Sequence, residues 1–221
     1  MKESQSWGAL FDLDGVLIDS PDVHARAWAR VFRPYNIVLP PERLHREEGR
    51  KSLDIAHGIV SEYDLDLDDD TLNKLIETKR RIYRDNAPHG LRKDARYAVQ
   101  MLKSIGWILG LVSGSVRENI ETALSEPELD LFDIIIAAEN YTRSKPDPEP
   151  YLTACNKAGL APTHCVAIEN APLGISSART AGMKVVALTS TLRRSELRDA
   201  DDVIDDLTKL PRLLELYKKG N

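Results

Sequence analysis

The stretch FDLDGVLIDS, residues 11–20, places three carboxylates within eight positions at the end of a short apolar run, GALFDL at 8–13. A run of this length is typical of a strand that is buried on both faces. Alternate residues of a strand point to the same face, so the Asp12 and Asp14 side chains are predicted to converge. Two converging negative charges favour a cation between them, which makes this strand end the first candidate site.

Four more apolar runs follow the first, and helical patterns alternate with them. The runs lie at 107–112, 134–138, 165–168 and 184–188. The helical patterns lie at 94–105, 148–158 and about 173–181, and each ends at or just before a glycine. Strand and helix thus alternate four times. This pattern predicts an α/β fold with a Rossmann-like, doubly wound parallel sheet.

One long segment interrupts the alternation directly after the first predicted strand. From about residue 21 to residue 87 the apolar spacing is helical throughout, with no strand-like run. We therefore predict an inserted α-helical cap domain at 18–89. The Rossmann-like catalytic core would then consist of residues 1–17 and 90–221.

The composition excludes several classes of protein. The 221 residues are 42% hydrophobic and 29% charged, as in an ordinary globular protein, and the formal net charge is -5. No apolar run approaches the roughly 18 residues that a membrane span needs, and an acidic chain is a poor general ligand for a phosphate backbone. We expect a cytoplasmic monomer or homodimer without nucleic-acid or membrane partners. Cys155 and Cys165 are predicted to be packing thiols.

Polar residues follow four of the predicted strands. They are Asp12-Leu13-Asp14, Ser113-Gly114-Ser115, Ser144-Lys145-Pro146 and Glu169-Asn170. Ligands of open parallel sheets bind outside the carboxyl ends of the strands, so these groups are expected to share one site. Carboxylate, carbonyl and amide oxygens without His or Cys favour Mg²⁺. Lys145 and the Ser113 hydroxyl, with adjacent backbone N–H groups, would hold an anion, and phosphate fits best.

Four stretches together resemble the motifs of the haloacid dehalogenase superfamily of phosphotransferases. They are DLDGVLIDS, VSGS, KPDP and IENAPLGISSARTAGM. The resemblance covers nearly the whole chain and is to the branch with a helical cap after the first strand, which is beta-phosphoglucomutase-like and phosphoglycolate phosphatase-like. It implies an enzyme of the phosphatase or phosphotransferase type.

The resemblance also implies a role for each motif residue. Asp12 would be the nucleophile that attacks phosphorus, and Asp14 the general acid and base. A pKa raised by its neighbours would help Asp14 to donate its proton. Ser113 and Lys145 would bind the transferred phosphoryl group, with Gly114 and Ser115 beside it. Mg²⁺ would be held by Asp12, the Asp14 carbonyl, Glu169 and Asn170. Asp19 would lie at the hinge into the cap and cap a helix together with Ser20.

The fourth motif departs from many relatives at Asn170. They carry a second acidic residue there, whereas Glu169-Asn170 supplies one charge. An amide oxygen still binds Mg²⁺, but a less anionic site binds it more weakly. We therefore expect metal dependence with reduced affinity.

Two stretches of the cap resemble substrate-binding regions of the beta-phosphoglucomutase subgroup. His24-Ala25-Arg26-Ala27-Trp28 matches a hinge segment, and Gly49-Arg50-Lys51-Ser52 matches the specificity loop. His24, Gly49 and Arg50 are therefore predicted to contact substrate, with Lys51 as a further candidate. The alternatives are that His24 packs between helices and that Arg50 is solvated.

Three functions remain open at this point. The first is a Mg²⁺-dependent phosphatase that acts on a small phosphorylated metabolite, of the sugar phosphate or phosphoglycolate type, through an aspartyl-phosphate. The second is a beta-phosphoglucomutase, an isomerase that uses the same intermediate. The third is a non-catalytic phosphate-sensing module. A dehalogenase is disfavoured, since such relatives lack the equivalent of Asp14 and need no metal.

Overall fold

The core of the protein is a six-stranded parallel sheet in the order β3-β2-β1-β4-β5-β6. The computed structural model describes residues 6–219; residues 1–5 and 220–221, which the prediction assigned to the core, lie outside the described residues. The strands are β1 Gly8–Phe11, β2 Ile108–Val112, β3 Ile134–Ile136, β4 Cys165–Glu169, β5 Lys184–Leu188 and β6 Asp202–Ile204. The five predicted strands are confirmed, and β6 was not predicted.

The first strand lies in the middle of the sheet, where all four of its residues are buried. Phe11 is paired with Leu111 of β2 on one side and with Ile168 of β4 on the other. The strand ends at Phe11, two residues before the end of the apolar run, because the chain then turns: the N–H groups of Leu17 and Ile18 both donate to the carbonyl of Leu13. This turn brings Asp12 and Asp14 to the carboxyl edge of the sheet.

Ten α-helices lie within residues 6–219. They are α1 Pro21–Phe32, α2 Pro41–His45, α3 Ser52–Glu62, α4 Asp69–Arg84, α5 Lys93–Ser104, α6 Arg117–Ala123, α7 Glu126–Leu129, α8 Glu149–Ala158, α9 Pro172–Thr180 and α10 Leu210–Lys219. Five short 3₁₀ turns lie at Arg33–Tyr35, Ala138–Asn140, Pro162–His164, Arg194–Glu196 and Leu207–Lys209. None of the described helices is long and apolar enough to cross a membrane.

Helices cover both faces of the sheet. On one face, α5 and α10 pack through residues such as Val99 and Leu214. On the other, α8 and α9 pack through residues such as Tyr151 and Ile175. Two covered faces explain why the strands read as continuous apolar runs, and the predicted doubly wound α/β fold is confirmed. Both cysteines are buried and free, as predicted.

The helices α1 to α4 form a helical insert, defined here as residues 21–84, between β1 and α5. The insert has an apolar core of its own, with Trp28, Phe32 and Ile59 fully buried in it. The chain leaves the sheet and returns to it at one place, because the Arg92 N–H donates to the Leu17 carbonyl at 2.9 Å. The domain limits 18–89 stay a prediction.

Candidate active site

A buried lysine joins two of the predicted site carboxylates. Lys145 Nζ lies 2.6 Å from Asp12 Oδ1 and 2.6 Å from Glu169 Oε1, and the lysine is fully buried. Burial alone would lower the pKa of Lys145, but the two carboxylates raise it well above its usual value, so the ammonium is held charged. Burial raises the pKa of Asp12, while Lys145 opposes that rise and favours the carboxylate.

The Glu169 carboxylate is fixed from two further sides. Tyr151 Oη donates to Glu169 Oε1 at 2.6 Å. The first turn of α9 packs directly on the same carboxylate, and a Cβ at Gly174 would lie 2.1 Å from Glu169 Cδ. Only a glycine leaves room for Glu169 at this point. The structure therefore turns Glu169 toward Lys145 and Tyr151.

Both oxygens of Asp14 are occupied by hydrogen bonds. Oδ1 accepts from Ser20 Oγ at 2.5 Å and from His24 Nε2 at 2.9 Å, and Oδ2 accepts from Ser115 Oγ at 3.2 Å. Burial alone would raise the pKa of Asp14, but His24 and Ser20 outweigh it and lower the pKa to about 2. The expectation that neighbours raise this pKa is therefore wrong for this conformation.

The predicted helix cap before α1 also takes a different form. Ser20 is at the N-cap position of α1 but makes no capping hydrogen bond with its side chain. Its hydroxyl is committed to Asp14 instead, and Asp19 is exposed. The prediction that Asp19 and Ser20 cap the helix is thus wrong with regard to Ser20. The Ser20 hydroxyl thus links the start of the insert to the Asp14 carboxylate, which follows the first strand.

His24 bridges Asp14 to a lysine that the sequence reasoning missed. Lys79 Nζ donates to His24 Nδ1 at 2.7 Å, and the His24 ring stacks on Tyr83 with centroids 4.0 Å apart. Lys79 is buried, and burial lowers its pKa to about 7. A signal was present in the sequence: Lys79 occupies the apolar stripe of α4, seven residues after Leu72 and four before Tyr83.

The insert rests on the core through a loop, residues 46–51, called the insert loop below. A Cβ at Gly114, in the Ser113-Gly114-Ser115 turn, would lie 2.7 Å from the Arg50 carbonyl oxygen. Gly49, with φ of +88°, packs on the stem of Lys145, where a Cβ would lie 2.7 Å from Cδ. Lys51 Nζ donates to the Tyr141 carbonyl at 2.5 Å. This contact places the Lys51 ammonium on the core surface.

A cavity of about 40 Å³ lies between the insert and the core. The polar residues that line it are Asp14, His24, Glu48, Arg50, Ser52, Lys79 and Ser115, with Gly49 and Gly114 beside them. Arg50 also pairs with Glu47 at 3.0 Å. In this conformation the cavity has room for about three water molecules.

Among the predicted metal ligands, Asn170 has a buried oxygen without a hydrogen-bond partner. No three His, Cys, Asp or Glu side chains within residues 6–219 are arranged to hold a metal ion. However, two buried acceptor atoms, Asn170 Oδ1 and Glu48 Oε1, have no hydrogen-bond partner. Amide and carboxylate oxygens are ligands of a hard cation, so this donor set fits Mg²⁺ together with Asp12. Glu48 was not among the predicted site residues.

Comparison with known proteins connects this geometry to a family. The family model described as haloacid dehalogenase-like hydrolase matches residues 9–188. The chain belongs to the haloacid dehalogenase-like hydrolase family. The predicted family is confirmed, and so is the prediction of an enzyme, since the family is one of hydrolases.

Relatives of this haloacid dehalogenase-like hydrolase include named phosphatases. A validoxylamine A 7'-phosphate phosphatase from Streptomyces hygroscopicus subsp. limoneus is 33% identical over 204 residues, which cover 91% of this chain and 94% of that protein. A fructose-1-phosphate phosphatase from Escherichia coli (strain K12) is 30% identical over 186 residues, 81% of this chain and 94% of that protein. The structure of a beta-phosphoglucomutase from Clostridium difficile matches with a TM-score of 0.86 and 22% identity, covering 98% of this chain and 99% of that one. This last likeness concerns the fold.

Proposed function

We propose that the chain is a Mg²⁺-dependent phosphatase that hydrolyses a small phosphorylated metabolite through an aspartyl-phosphate. The observation that carries the proposal is the Asp12 carboxylate at the end of the central strand, with a fully buried lysine 2.6 Å away. Two relatives at 30% identity or more are named as phosphatases of phosphorylated sugars or sugar-like compounds, which supports this substrate class.

In the first step, an oxygen of Asp12 would form a bond to phosphorus while the bond from phosphorus to the leaving oxygen breaks. Lys145 offsets the repulsion between the anionic nucleophile and the anionic substrate, because it stays charged between Asp12 and Glu169. It also holds one Asp12 oxygen, which fixes the orientation of the carboxylate for attack.

Asp14 would donate a proton to the leaving oxygen and later take one from the water that attacks the intermediate. In the conformation described, Ser20 and His24 keep Asp14 ionised. This state suits the second step, which needs a base. The first step needs a protonated Asp14, so we infer that the residue leaves Ser20 and His24 before it donates.

We propose that Asp12, Glu169 and Asn170, with the main-chain carbonyl of Asp14, would hold Mg²⁺. When bound, this ion would neutralise charge on the transferred phosphoryl group. Ser113 is fully buried, and its Oγ accepts from the Ser115 N–H at 3.0 Å. We propose that this turn binds the phosphoryl oxygens through its hydroxyls and N–H groups, with the specificity residues His24, Gly49 and Arg50 on the insert side.

The decisive experiment is phosphate release from a panel of sugar phosphates and phosphoglycolate, with and without Mg²⁺. We expect Mg²⁺-dependent release that Asp12→Asn lowers by at least about 1,000-fold. Asp22→Asn is the matched control, since Asp22 is an exposed carboxylate that pairs with His45. Equal activity of Asp12→Asn and the wild type would refute the proposal.

The mutase alternative is tested with the same protein. With beta-glucose 1-phosphate and a bisphosphate primer, free phosphate supports the phosphatase, and glucose 6-phosphate supports the mutase. No hydrolysis or transfer with any substrate would favour the phosphate-sensing module. The cytoplasmic location, the absence of nucleic-acid and membrane partners, and a monomeric or homodimeric state stay predictions.

A further inference from the structure

Glu48 of the insert loop is a buried carboxylate that the mechanism above does not use. It is 9% exposed, and its Oε2 accepts a hydrogen bond of 2.6 Å from Asn170 Nδ2 in the core. Its other oxygen, Oε1, is buried without a hydrogen-bond partner. Burying a carboxylate while one of its oxygens has no partner costs free energy. The negative charges of the nearby Asp14 and Asp12 increase that cost.

Asn170 is oriented so that its own oxygen is also left unpartnered. Its Nδ2 donates to Glu48 and, at 3.0 Å, to Thr191 Oγ1. With the amide nitrogen committed to both acceptors, Oδ1 is buried and has no partner. The same hydrogen-bonded pair thus presents two free acceptor oxygens, one from the insert and one from the core. Carboxylate and amide oxygens are both ligands of a hard cation such as Mg²⁺.

We propose that Glu48 supplies to the cation site the carboxylate that Asn170 lacks, so that the site is complete only when the insert lies on the core. This inference rests on the proposed function. An aspartate at position 170 could not donate to Glu48 and would set a second negative charge against it at close range. In this pair the charged ligand, Glu48, lies in the insert and the neutral ligand, Asn170, lies in the core. Binding of a cation to both therefore favours the closed arrangement, in which the insert lies on the core.

The test is a calorimetric titration with Mg²⁺ alone, without substrate, on the full chain. Glu48→Gln should weaken Mg²⁺ binding by about 10- to 100-fold. Glu47→Gln removes the same charge from the neighbouring residue, which pairs with Arg50 instead, and should leave the affinity unchanged. Thermal unfolding of both variants serves as the control for folding. Equal Mg²⁺ affinity of Glu48→Gln and the wild type would overturn the inference.

Closure is measured separately by amide hydrogen exchange of the insert loop. Mg²⁺ should slow exchange there in the wild type and in Glu47→Gln, and should have no effect in Glu48→Gln. The double variant Glu48→Gln/Asn170→Asp should regain Mg²⁺ affinity without the slowed exchange, because its ligands all lie in the core. A double variant that binds Mg²⁺ no better than Glu48→Gln would contradict the proposal that Glu48 supplies the carboxylate that Asn170 lacks.

These outcomes are distinct from those of the proposed function. In one outcome, the wild type releases phosphate with Mg²⁺, Asp12→Asn does not, and Glu48→Gln binds Mg²⁺ as the wild type does. This outcome would overturn the inference and support the phosphatase. In the other outcome, Glu48→Gln binds Mg²⁺ more weakly but the wild type releases no phosphate. This outcome would support the inference and refute the proposal of a phosphatase.

Discussion

Replacing Gly174 with alanine tests whether the Glu169 carboxylate is fixed as tightly as the structure indicates. Gly174 lies in the first turn of α9, and an added Cβ would be 2.1 Å from Glu169 Cδ and from Oε1. Glu169 is 1% exposed and bound to Lys145 and Tyr151, so it cannot move without breaking those hydrogen bonds.

The expected magnitude follows from three contributions. Alanine in a helix is favoured over glycine by about 1 kcal/mol. Overpacking of a filled interior costs about 1–3 kcal/mol, and the loss of one hydrogen bond to a charged group costs about 1.5–3 kcal/mol. The free energy of unfolding of Gly174→Ala should therefore fall by about 1.5–5 kcal/mol.

Urea denaturation monitored by circular dichroism measures this change. Gly58→Ala is the matched control, because Gly58 lies inside α3 and an added Cβ would meet nothing within 4 Å. It should raise the free energy of unfolding by about 0.5–1 kcal/mol. If Gly174→Ala were as stable as Gly58→Ala, the close contact between α9 and Glu169 would be wrong.

Two further substitutions test buried charges. Glu128 accepts hydrogen bonds from Leu91 N–H at 2.8 Å and Ser125 N–H at 2.9 Å, and these bonds lower its pKa although burial alone would raise it. The free energy of unfolding of Glu128→Gln should thus be lower than that of the wild type by about 1–3 kcal/mol at pH 7. The difference between the two proteins should shrink as the pH falls below 4.5. Urea denaturation at pH 7 and pH 3.5 measures both values. Lys79→Met should raise stability by about 1–4 kcal/mol at pH 6, because burial lowers the pKa of Lys79 to about 7. The gain in stability should decline between pH 7 and pH 10.5, because Lys79 in this range is protonated in the unfolded chain and neutral in the folded one. A Lys79→Met variant less stable than the wild type at pH 6 would contradict this prediction.

The sheet was predictable where strands are buried on both faces, because burial there leaves continuous apolar runs. Strands β1, β2, β4 and β5 carry this signal. Strand β6, Asp-Val-Ile, does not: it has three residues at the edge of the sheet, and only Ile204 is buried. Two apolar residues are too few to form an apolar run, whereas β3 at the opposite edge is equally short but consists of three isoleucines.

The candidate site was predictable along the sheet edge and not across the gap to the insert. Asp12, Lys145 and Glu169 follow strands whose order brings them together, as expected. Glu48 and Lys79 reach the site through tertiary contacts that span 122 and 55 positions in the chain. The position of Lys79 on the apolar stripe of α4 indicates that it is buried but not what it contacts, and Glu48, a charged residue in a loop, resembles many solvated ones. The low pKa of Asp14 depends on His24 and Ser20, whose contacts with Asp14 no sequence pattern indicated.

The hydrogen bond from the Arg92 N–H to the Leu17 carbonyl joins the segment that precedes the insert directly to the segment that follows it. The scaffold that carries Asp12 and Lys145 therefore closes without help from the intervening helices. Under the proposed function, the insert contacts the organic part of the ligand and the strand ends contact the phosphoryl group. The insert has an apolar core of its own, so the two recognition tasks belong to separately packed parts of the chain.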